Sequence, residues 1–204
     1  MTSTSDITVT LATAGTATDG TDYSAVNGST ITISAGSTTG TKTFTMTDDS
    51  VYEGNENINI EISNVSTGAY ENGSQSIDFT ITENESAPTV TLSRSASSIA
   101  ENAGSSLTLT ATLSGAADEN VVVTLSTSGT GTEGTDYSTI SDITISAGDT
   151  TGTASFTPTD DSVYEDDETG IVAISGVSGG GATESGTQTV TITITENESA
   201  PTVT

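Results

Sequence analysis

Carboxylates are almost the only side chains in this 204-residue sequence that could carry out acid–base or metal chemistry. The chain has 28 Asp and Glu against 2 Lys and Arg, no His and no Cys, and a net charge of −26. A zinc site of the usual kind, a Cys or His nucleophile, a His general base and a disulfide are therefore excluded. The scarcity of Lys and Arg also excludes binding to nucleic acids or to anionic membrane surfaces through phosphate contacts.

The acidic motifs occur twice, at a spacing of about one small domain. Thr21-Asp22-Tyr23-Ser24 recurs at 135–138, the segment 47–53 recurs at 159–165, and the segment 81–91 recurs at 194–204, with offsets of 112 to 114 residues. This period is typical of a β-sandwich domain, not of a solenoid turn. It predicts an N-terminally incomplete repeat over 1–87, a complete repeat over 88–200, and at 201–204 the start of a further repeat or a donated strand.

The first repeat lacks a counterpart of residues 88–114, and two explanations stay open. One is that the chain is cut from a longer array of repeats. The other is that a neighbouring chain donates the missing strands, which would produce a head-to-tail polymer. In both cases the partners are neighbouring repeats or subunits joined head to tail, because sandwich edges need to be covered.

Alternation of Thr with Ile, Val or Leu predicts that most of the chain is β-strand with one buried face. No segment has the apolar spacing of an amphipathic helix. The expected architecture is all-β, with tandem antiparallel sandwiches of about seven strands each. In the complete repeat the predicted strands are Thr89–Ser93, Leu107–Ser114, Val121–Thr127, Ile143–Ser146, Ala154–Thr157, Gly170–Gly176 and Thr189–Thr195.

These strands determine where the acidic residues meet. If each connection reverses the chain direction, 12 acidic residues of the complete repeat fall at one end of the sandwich and 4 at the other. Carboxylates concentrated at one end repel one another unless a cation lies among them. Calcium takes six to eight oxygen ligands in flexible geometry and suits loops that offer only oxygen, whereas magnesium needs stricter octahedral geometry. Ca²⁺ is therefore the predicted cofactor.

Two other interpretations account for some of the same features. The acidic residues could form a solvated face that favours solubility or tolerance of high salt. Such a surface predicts charge along the exposed strand positions, yet those positions carry mainly Thr and Ser. A paired-carboxylate hydrolase would normally line its cleft with aromatic rings, and the chain has no Trp, 3 Phe and 5 Tyr. We therefore expect no enzymatic activity.

The order of the motifs resembles the Calx-beta domain family. The resemblance rests on Gly134-Thr135-Asp136-Tyr137, on Ile143 to Thr150, on the acidic run Asp160 to Glu168, and on Ile99-Ala100-Glu101-Asn102. It covers nearly all of the chain and implies immunoglobulin-like, calcium-binding sandwiches. One departure is the end of the last strand, where a run of Asp in calcium-sensing members is replaced by Glu-Asn-Glu, at 83–85 and at 196–198.

Taken together, the resemblance and the acidic strand ends predict metal ligands in both repeats and no catalytic residues. In the first repeat the predicted ligands are Asp22, Asp48, Asp49, Glu53, Glu56, Glu83 and Glu85. In the second they are Glu101, Asp136, Asp160, Asp161, Glu165, Glu168, Glu196 and Glu198.

The expected role is a calcium-stabilised structural repeat segment of a secreted or cell-surface adhesin or filament. The alternatives are a self-assembling extracellular fibre subunit completed by strand exchange, and a calcium-sensing regulatory module of a larger protein. No apolar run is long enough to cross a membrane, and the start lacks the pattern of a signal peptide. The expected location is extracellular or at the cell surface, so either the chain is an excised fragment or its export signal lies elsewhere.

Overall fold

The computed structural model describes residues 2–204, and all regular elements in that range are β-strands. Within it there is no helix of the length and apolarity needed to cross a membrane. The strands are β1 (Ile7–Gly15), β2 (Thr30–Ile33), β3 (Val51–Tyr52), β4 (Glu56–Val65), β5 (Ser76–Ile81), β6 (Thr89–Arg94), β7 (Ser98–Ala100), β8 (Leu107–Leu113), β9 (Ala116–Ala117), β10 (Val121–Gly129), β11 (Ile143–Ile145), β12 (Thr151–Phe156), β13 (Glu168–Ser178), β14 (Thr183–Glu184) and β15 (Thr189–Thr195).

The chain divides into two compact units. The first comprises the residues up to Asp49 together with Gly54–Asn84, and the second comprises Ser50–Glu53 together with Glu85–Thr204. The short segment Ser50–Glu53 lies within the first sequence repeat but belongs to the second unit. Nothing in the sequence pattern predicts this exchange.

The second unit is a sandwich of two sheets. One sheet has the order β11-β10-β13-β15-β7 and the other has the order β12-β8-β6-β14. Alternate residues point inward and form one apolar core, which includes Val90, Leu109, Val123, Phe156 and Ile192, all fully buried. This all-β, mainly antiparallel architecture confirms the predicted fold class, and each of the seven predicted strands is present.

Short edge strands are the part of the second unit that sequence periodicity did not predict. After β6, which contains the first predicted strand, the chain crosses to the other sheet, where the unpredicted strand β7 pairs in parallel with β15. The two-residue strand β14 pairs in parallel with β6. These strands of two or three residues are too short to show an alternating pattern.

The first unit contains one antiparallel sheet, in the order β2-β1-β4-β5. Its small core is formed by Leu11, Ala17, Tyr23, Val26 and Ile58. Within the described residues, this unit has no counterpart of the strands β6, β7 and β8 that cover the second sandwich. One apolar face is consequently open, and Ile77 and Phe79 are 62% and 37% exposed.

Candidate metal centre

A tight loop positions the central acidic residue of each unit. In the second unit Asp136 accepts a hydrogen bond at Oδ2 from the Thr132 backbone N–H, at 2.6 Å. The next residue, Tyr137, is buried and stacks on Phe156 with ring centroids 4.6 Å apart. The Gly-Thr-Asp-Tyr motif thus anchors its aromatic ring in the core and holds its carboxylate at the end of the sandwich.

The first unit repeats this loop. Asp22 accepts at Oδ2 from the Thr18 N–H at 2.5 Å, and Tyr23 is buried against Phe44. Asp22 itself is buried. The equivalence of the two loops therefore extends from sequence to hydrogen bonding.

The unpredicted strand β7 positions the most buried carboxylate of the second unit. Glu101 follows β7 directly, and its backbone N–H donates to the Thr195 carbonyl at 3.0 Å. Its side chain is only 7% exposed, and its Oε1 accepts from the Asp161 N–H at 3.2 Å. Burial is the main cause that raises the pKa of Glu101.

Three overlapping carboxylate groups converge beside Glu101. In each group the carboxylate oxygens lie within 4.8 Å of one another, which is a spacing that one cation can bridge. Glu101 takes part in two groups and Glu165 in two. The groups are Glu101, Glu196 and Glu198; Glu101, Asp161 and Glu165; and Asp136, Glu165 and Glu168.

The electrostatics of these groups are unfavourable for a bare carboxylate cluster. Burial, followed by the charges of Asp136 and Glu165, raises the pKa of Glu168 to about 6. Burial and the neighbouring carboxylates, Asp136 first among them, also raise the pKa of Glu165. Burial disfavours the charged form of each carboxyl group, and each ionised neighbour then disfavours it further.

The end of β15 carries a carboxylate pair with opposite pKa shifts. Backbone N–H groups of Glu198 and Glu165 donate to Glu196 and lower its pKa to about 2, and the Glu165 bond is 2.5 Å long. The Glu196 side chain beside Glu198 raises the pKa of Glu198. Glu198 Oε2 is buried and accepts no hydrogen bond from the described residues. A buried carboxylate oxygen in this state is a suitable position for a cation ligand.

Asp160 is the one predicted ligand of the second unit that belongs to no such group among the described residues. It is exposed. Two other acidic residues of the run support the loop. Asp167 Oδ1 accepts from the Glu196 N–H at 3.0 Å, and Asp166, whose φ is 73°, accepts from the Tyr164 hydroxyl at 2.6 Å.

In the first unit the structure brings Asp22 and Glu56 together, with carboxylate oxygens within 4.8 Å. Glu53, the sequence equivalent of Glu165, lies on the segment that belongs to the second unit. Asp48 Oδ1 accepts from Asn84 Nδ2 at 3.0 Å, and Glu83 Oε2 accepts from the Gly54 N–H at 2.7 Å.

The remaining predicted ligands of the first repeat are Asp49, which is exposed, and Glu85, which belongs to the second unit. Like Asp48 and Glu83, they fall in no carboxylate group among the described residues. As metal ligands, all residues named for the first repeat stay predictions.

The donor set and the space between the groups fit a calcium ion. A cavity of about 10 Å³ is lined by Glu101, Asp136, Glu165, Asp166, Glu168, Ile194 and Glu196. This volume corresponds to about one water-sized sphere. All the polar side chains around it are carboxylates, which are the ligands that hard cations prefer.

Comparison with known proteins gives one family and several solved structures. The Calx-beta domain model matches residues 1–85 and 83–198. The crystal structure of the apo-form Calx CBD1 domain is 18% identical, with 55% of this chain and 99% of that chain covered and a TM-score of 0.45. The structure of CBD12 from CALX1.2 is 15% identical, with coverages of 94% and 88% and a TM-score of 0.42.

A third structure, of calcium binding domain CBD12 of CALX1.1, is 14% identical, with coverages of 93% and 87% and a TM-score of 0.40. No curated protein matches the sequence significantly.

Proposed function

Because the chain belongs to the Calx-beta domain family and contains two such domains in tandem, we propose that it is a calcium-binding structural segment of an extracellular filament or adhesin. The observation that carries the proposal is the convergence of the Asp136, Glu165 and Glu168 carboxylates within 4.8 Å. Bound calcium supplies positive charge at this point and offsets the repulsion between the carboxylates.

The residues of the second unit have separable roles in this proposal. Asp136 is held by the Thr132 N–H and offers its other oxygen to the ion. Glu168 starts β13 and Glu101 follows β7, so both are fixed by strands. Glu165 lies on the loop and joins two of the carboxylate groups. Ion binding therefore ties a loop to two strands and stabilises the folded unit.

The position of Glu196 and Glu198 extends this effect to the segment that leaves the domain. Both residues follow β15 and group with buried Glu101. An ion at this group holds residues 196–198 against the sandwich and thereby fixes the direction in which the chain continues toward Pro201. Repeated along an array, such fixed junctions favour a rod. Extracellular sites of this kind are filled even at dissociation constants of about 10⁻⁴ to 10⁻³ M.

Calorimetric melting in calcium, in magnesium and in a chelator tests this proposal. An ion that binds only the folded form raises the melting temperature. We expect a larger rise in calcium than in magnesium, and a reduced rise for Glu168→Gln. The matched control is Asp149→Asn, which removes one charge from an exposed turn outside the carboxylate groups. An equal melting temperature in calcium and chelator would favour the solubility interpretation.

A second candidate function is a fibre subunit completed by strand exchange, and the open face of the first unit favours it. Phe44, Ile77 and Phe79 line a cavity of about 190 Å³ on that face. In the second unit β6 and β8 cover the corresponding side with Val90, Leu92 and Leu109. A peptide of residues 88–114 should then bind the first unit and raise its melting temperature, whereas a scrambled peptide should not.

The calcium-sensing alternative uses the same carboxylates but requires a different response. In a sensor, ion binding changes the average conformation. In a spacer, ion binding reduces the range of conformations and leaves the average unchanged. Small-angle X-ray scattering with and without calcium separates the two. A calcium response confined to submicromolar concentrations would favour the sensor, because extracellular spacers bind far more weakly.

A further inference from the structure

The dipeptide Val-Tyr occurs at the same place in both acidic runs, at 51–52 and at 163–164. The first occurrence is strand β3 of the second unit. It pairs in parallel with β9, with Val51 opposite Ala116 and Tyr52 opposite Ala117. The Asp118 N–H extends the pairing by donating to the Tyr52 carbonyl at 3.2 Å.

The ring of Tyr52 packs against the backbone at Gly181, where no side chain intervenes. Gly181 has a φ of +60°, and a Cβ added there would lie 2.5 Å from Tyr52 Cε1. A side chain at 181 would therefore displace the ring. The contact combines main-chain pairing with a fitted aromatic residue, which is the usual composition of strand-addition interfaces.

The second occurrence of the dipeptide is exposed. Val163 is 57% exposed and Tyr164 is 38% exposed, whereas Val51 and Tyr52 are both half-buried. The Tyr164 hydroxyl donates to Asp166, which leaves the face of the ring available for packing. The sequence that docks at 51–52 thus recurs at 163–164 as an undocked surface.

The first unit offers the counterpart of the acceptor strand β9. Its β1 aligns with β10 at an offset of 114 residues, so Thr2 and Ser3 correspond to Ala116 and Ala117. Main-chain bonding supports this alignment, because Gly36 donates to the Ser3 carbonyl as Gly148 donates to the Ala117 carbonyl, both at 2.8 Å.

A groove of about 620 Å³ lies beside this segment. Its walls include Thr2–Ser5, Ile7 and Thr67–Ala69, and none of its lining residues is charged. Val163 and Tyr164, by contrast, are flanked by acidic residues on both sides. An uncharged groove accepts an acidic loop without the repulsion that a second acidic surface would cause.

We propose that Val163–Tyr164 of one chain docks in this groove on the first unit of a second copy, as a short strand beside Thr2–Ser3. The contact repeats the pairing of β3 with β9 between chains. Its two surfaces differ, so successive chains associate head to tail and the association does not close into a symmetric pair. This inference rests on the proposed structural function and names its partner, a second copy of the chain.

Sedimentation velocity of the full chain in calcium, over a range of protein concentrations, tests the contact. The donor variant is Tyr164→Ser and the acceptor variant is Ala69→Trp, which fills the groove. We expect the dissociation constant of each variant to be at least about tenfold higher than that of the wild type, which is the size of effect that a single aromatic anchor gives. A mixture of the two variants should form a dimer and nothing larger, because one intact donor and one intact acceptor remain.

Val203→Ser is the matched control, since Val203 is exposed and lies outside the proposed contact. Unchanged association of Tyr164→Ser, loss of association in Val203→Ser, a mixture that stays monomeric, or a wild-type chain that never associates would each overturn the inference. Calcium-dependent melting in dilute solution distinguishes this failure from failure of the proposed function, because melting of the monomer does not require association.

Discussion

At the scale of single residues, the pKa of Glu168 reflects both the burial of its side chain and the carboxylates beside it. This residue is half-buried, it begins β13, and its pKa of about 6 results first from burial and then from Asp136 and Glu165. At neutral pH its charge is therefore unfavourable in the metal-free protein and favourable for a bound cation.

Glu168→Gln should separate these two effects. Without calcium the variant should melt at the same temperature as the wild type or higher, because a disfavoured charge has been removed. With calcium its melting temperature should rise less, because one ligand has been lost. Differential scanning calorimetry of the variant, beside Asp149→Asn, measures both effects. A full calcium response in Glu168→Gln would exclude this carboxylate as a ligand.

The pH dependence of stability provides a second prediction at this scale. The folded-state pKa of Glu168 is raised from 4.5 to about 6, so the folded protein binds more protons than the unfolded chain between these values. The free energy of unfolding of the metal-free protein should therefore fall as the pH rises from about 4.5 to about 6.

Calcium should reverse this trend, because protons and the ion compete for the same oxygens. The amount that calcium adds to the free energy of unfolding therefore grows as the pH rises through the same window. Below this window Glu196, with its pKa lowered to about 2, acts in the opposite sense and its stabilisation is lost as the pH falls. Urea unfolding at a series of pH values, with calcium and with chelator, checks both signs. A metal-free stability that rises from pH 4.5 to 6 would contradict the described electrostatics.

The sequence motifs predicted the residues that form the carboxylate groups, but not how the side chains are arranged. Asp136, Glu165 and Glu168 were all predicted, and the structure brings them together. Asp160 was predicted with them and belongs to no such group, although its charge helps to raise the pKa of Glu101 and of Glu198. The exact position of a side chain within an irregular loop has no sequence period. The role of Asp167 as an acceptor for the Glu196 N–H was also not predictable, since it depends on the loop reaching the end of β15.

At the scale of elements, one strand of three residues determines the site. β7 leaves the sheet of β6, pairs with β15 and delivers Glu101 beside Glu196. The long strands were predictable because alternating Thr and aliphatic residues identify them. β7 was not, because Ser98-Ile99-Ala100 is too short to alternate and its parallel pairing is set by tertiary contacts.

Strand β13 connects the site to the core, because it begins at Glu168 and reaches the core at Gly170, two residues later. A Cβ at Gly170 would lie 2.7 Å from the buried ring of Phe156. Gly170→Ala should therefore destabilise the second unit by about 1–3 kcal/mol through overpacking. The ring stacks on Tyr137, so the same change should weaken calcium binding by shifting Asp136.

Gly176→Ala in the same strand is the matched control. Its nearest neighbour would be Thr124 Cβ at 3.8 Å, an ordinary contact, and the variant should be neutral or slightly more stable. Chemical denaturation of both variants measures the difference. Equal stabilities would show that the Phe156 ring moves aside without cost.

At the scale of the whole molecule, the two units differ in how completely they are covered. Two sheets enclose the core of the second unit, while the first unit has one sheet and a smaller buried cluster. The sequence repeat predicted this difference, since the counterpart of residues 88–114 is missing. The transfer of Ser50–Glu53 to the second unit was not predictable, because a repeat pattern does not show which unit a short loop strand joins.

Amide hydrogen exchange should report the difference directly. Backbone amides of β1 and β4 should exchange faster than those of β10 and β13, because the first unit buries less apolar surface. Calcium should slow exchange mainly in the second unit, where three carboxylate groups converge. Equal protection in the two units would mean that another chain covers the open face of the first unit, as strand exchange requires.

The most direct test of the account is anomalous diffraction from crystals of the chain grown in calcium. If calcium binds as proposed, anomalous density should lie among Asp136, Glu165 and Glu168 and beside Glu101, with the carboxylate oxygens turned toward it. Well-ordered carboxylates at this end of the sandwich with no calcium density among them would contradict the proposal.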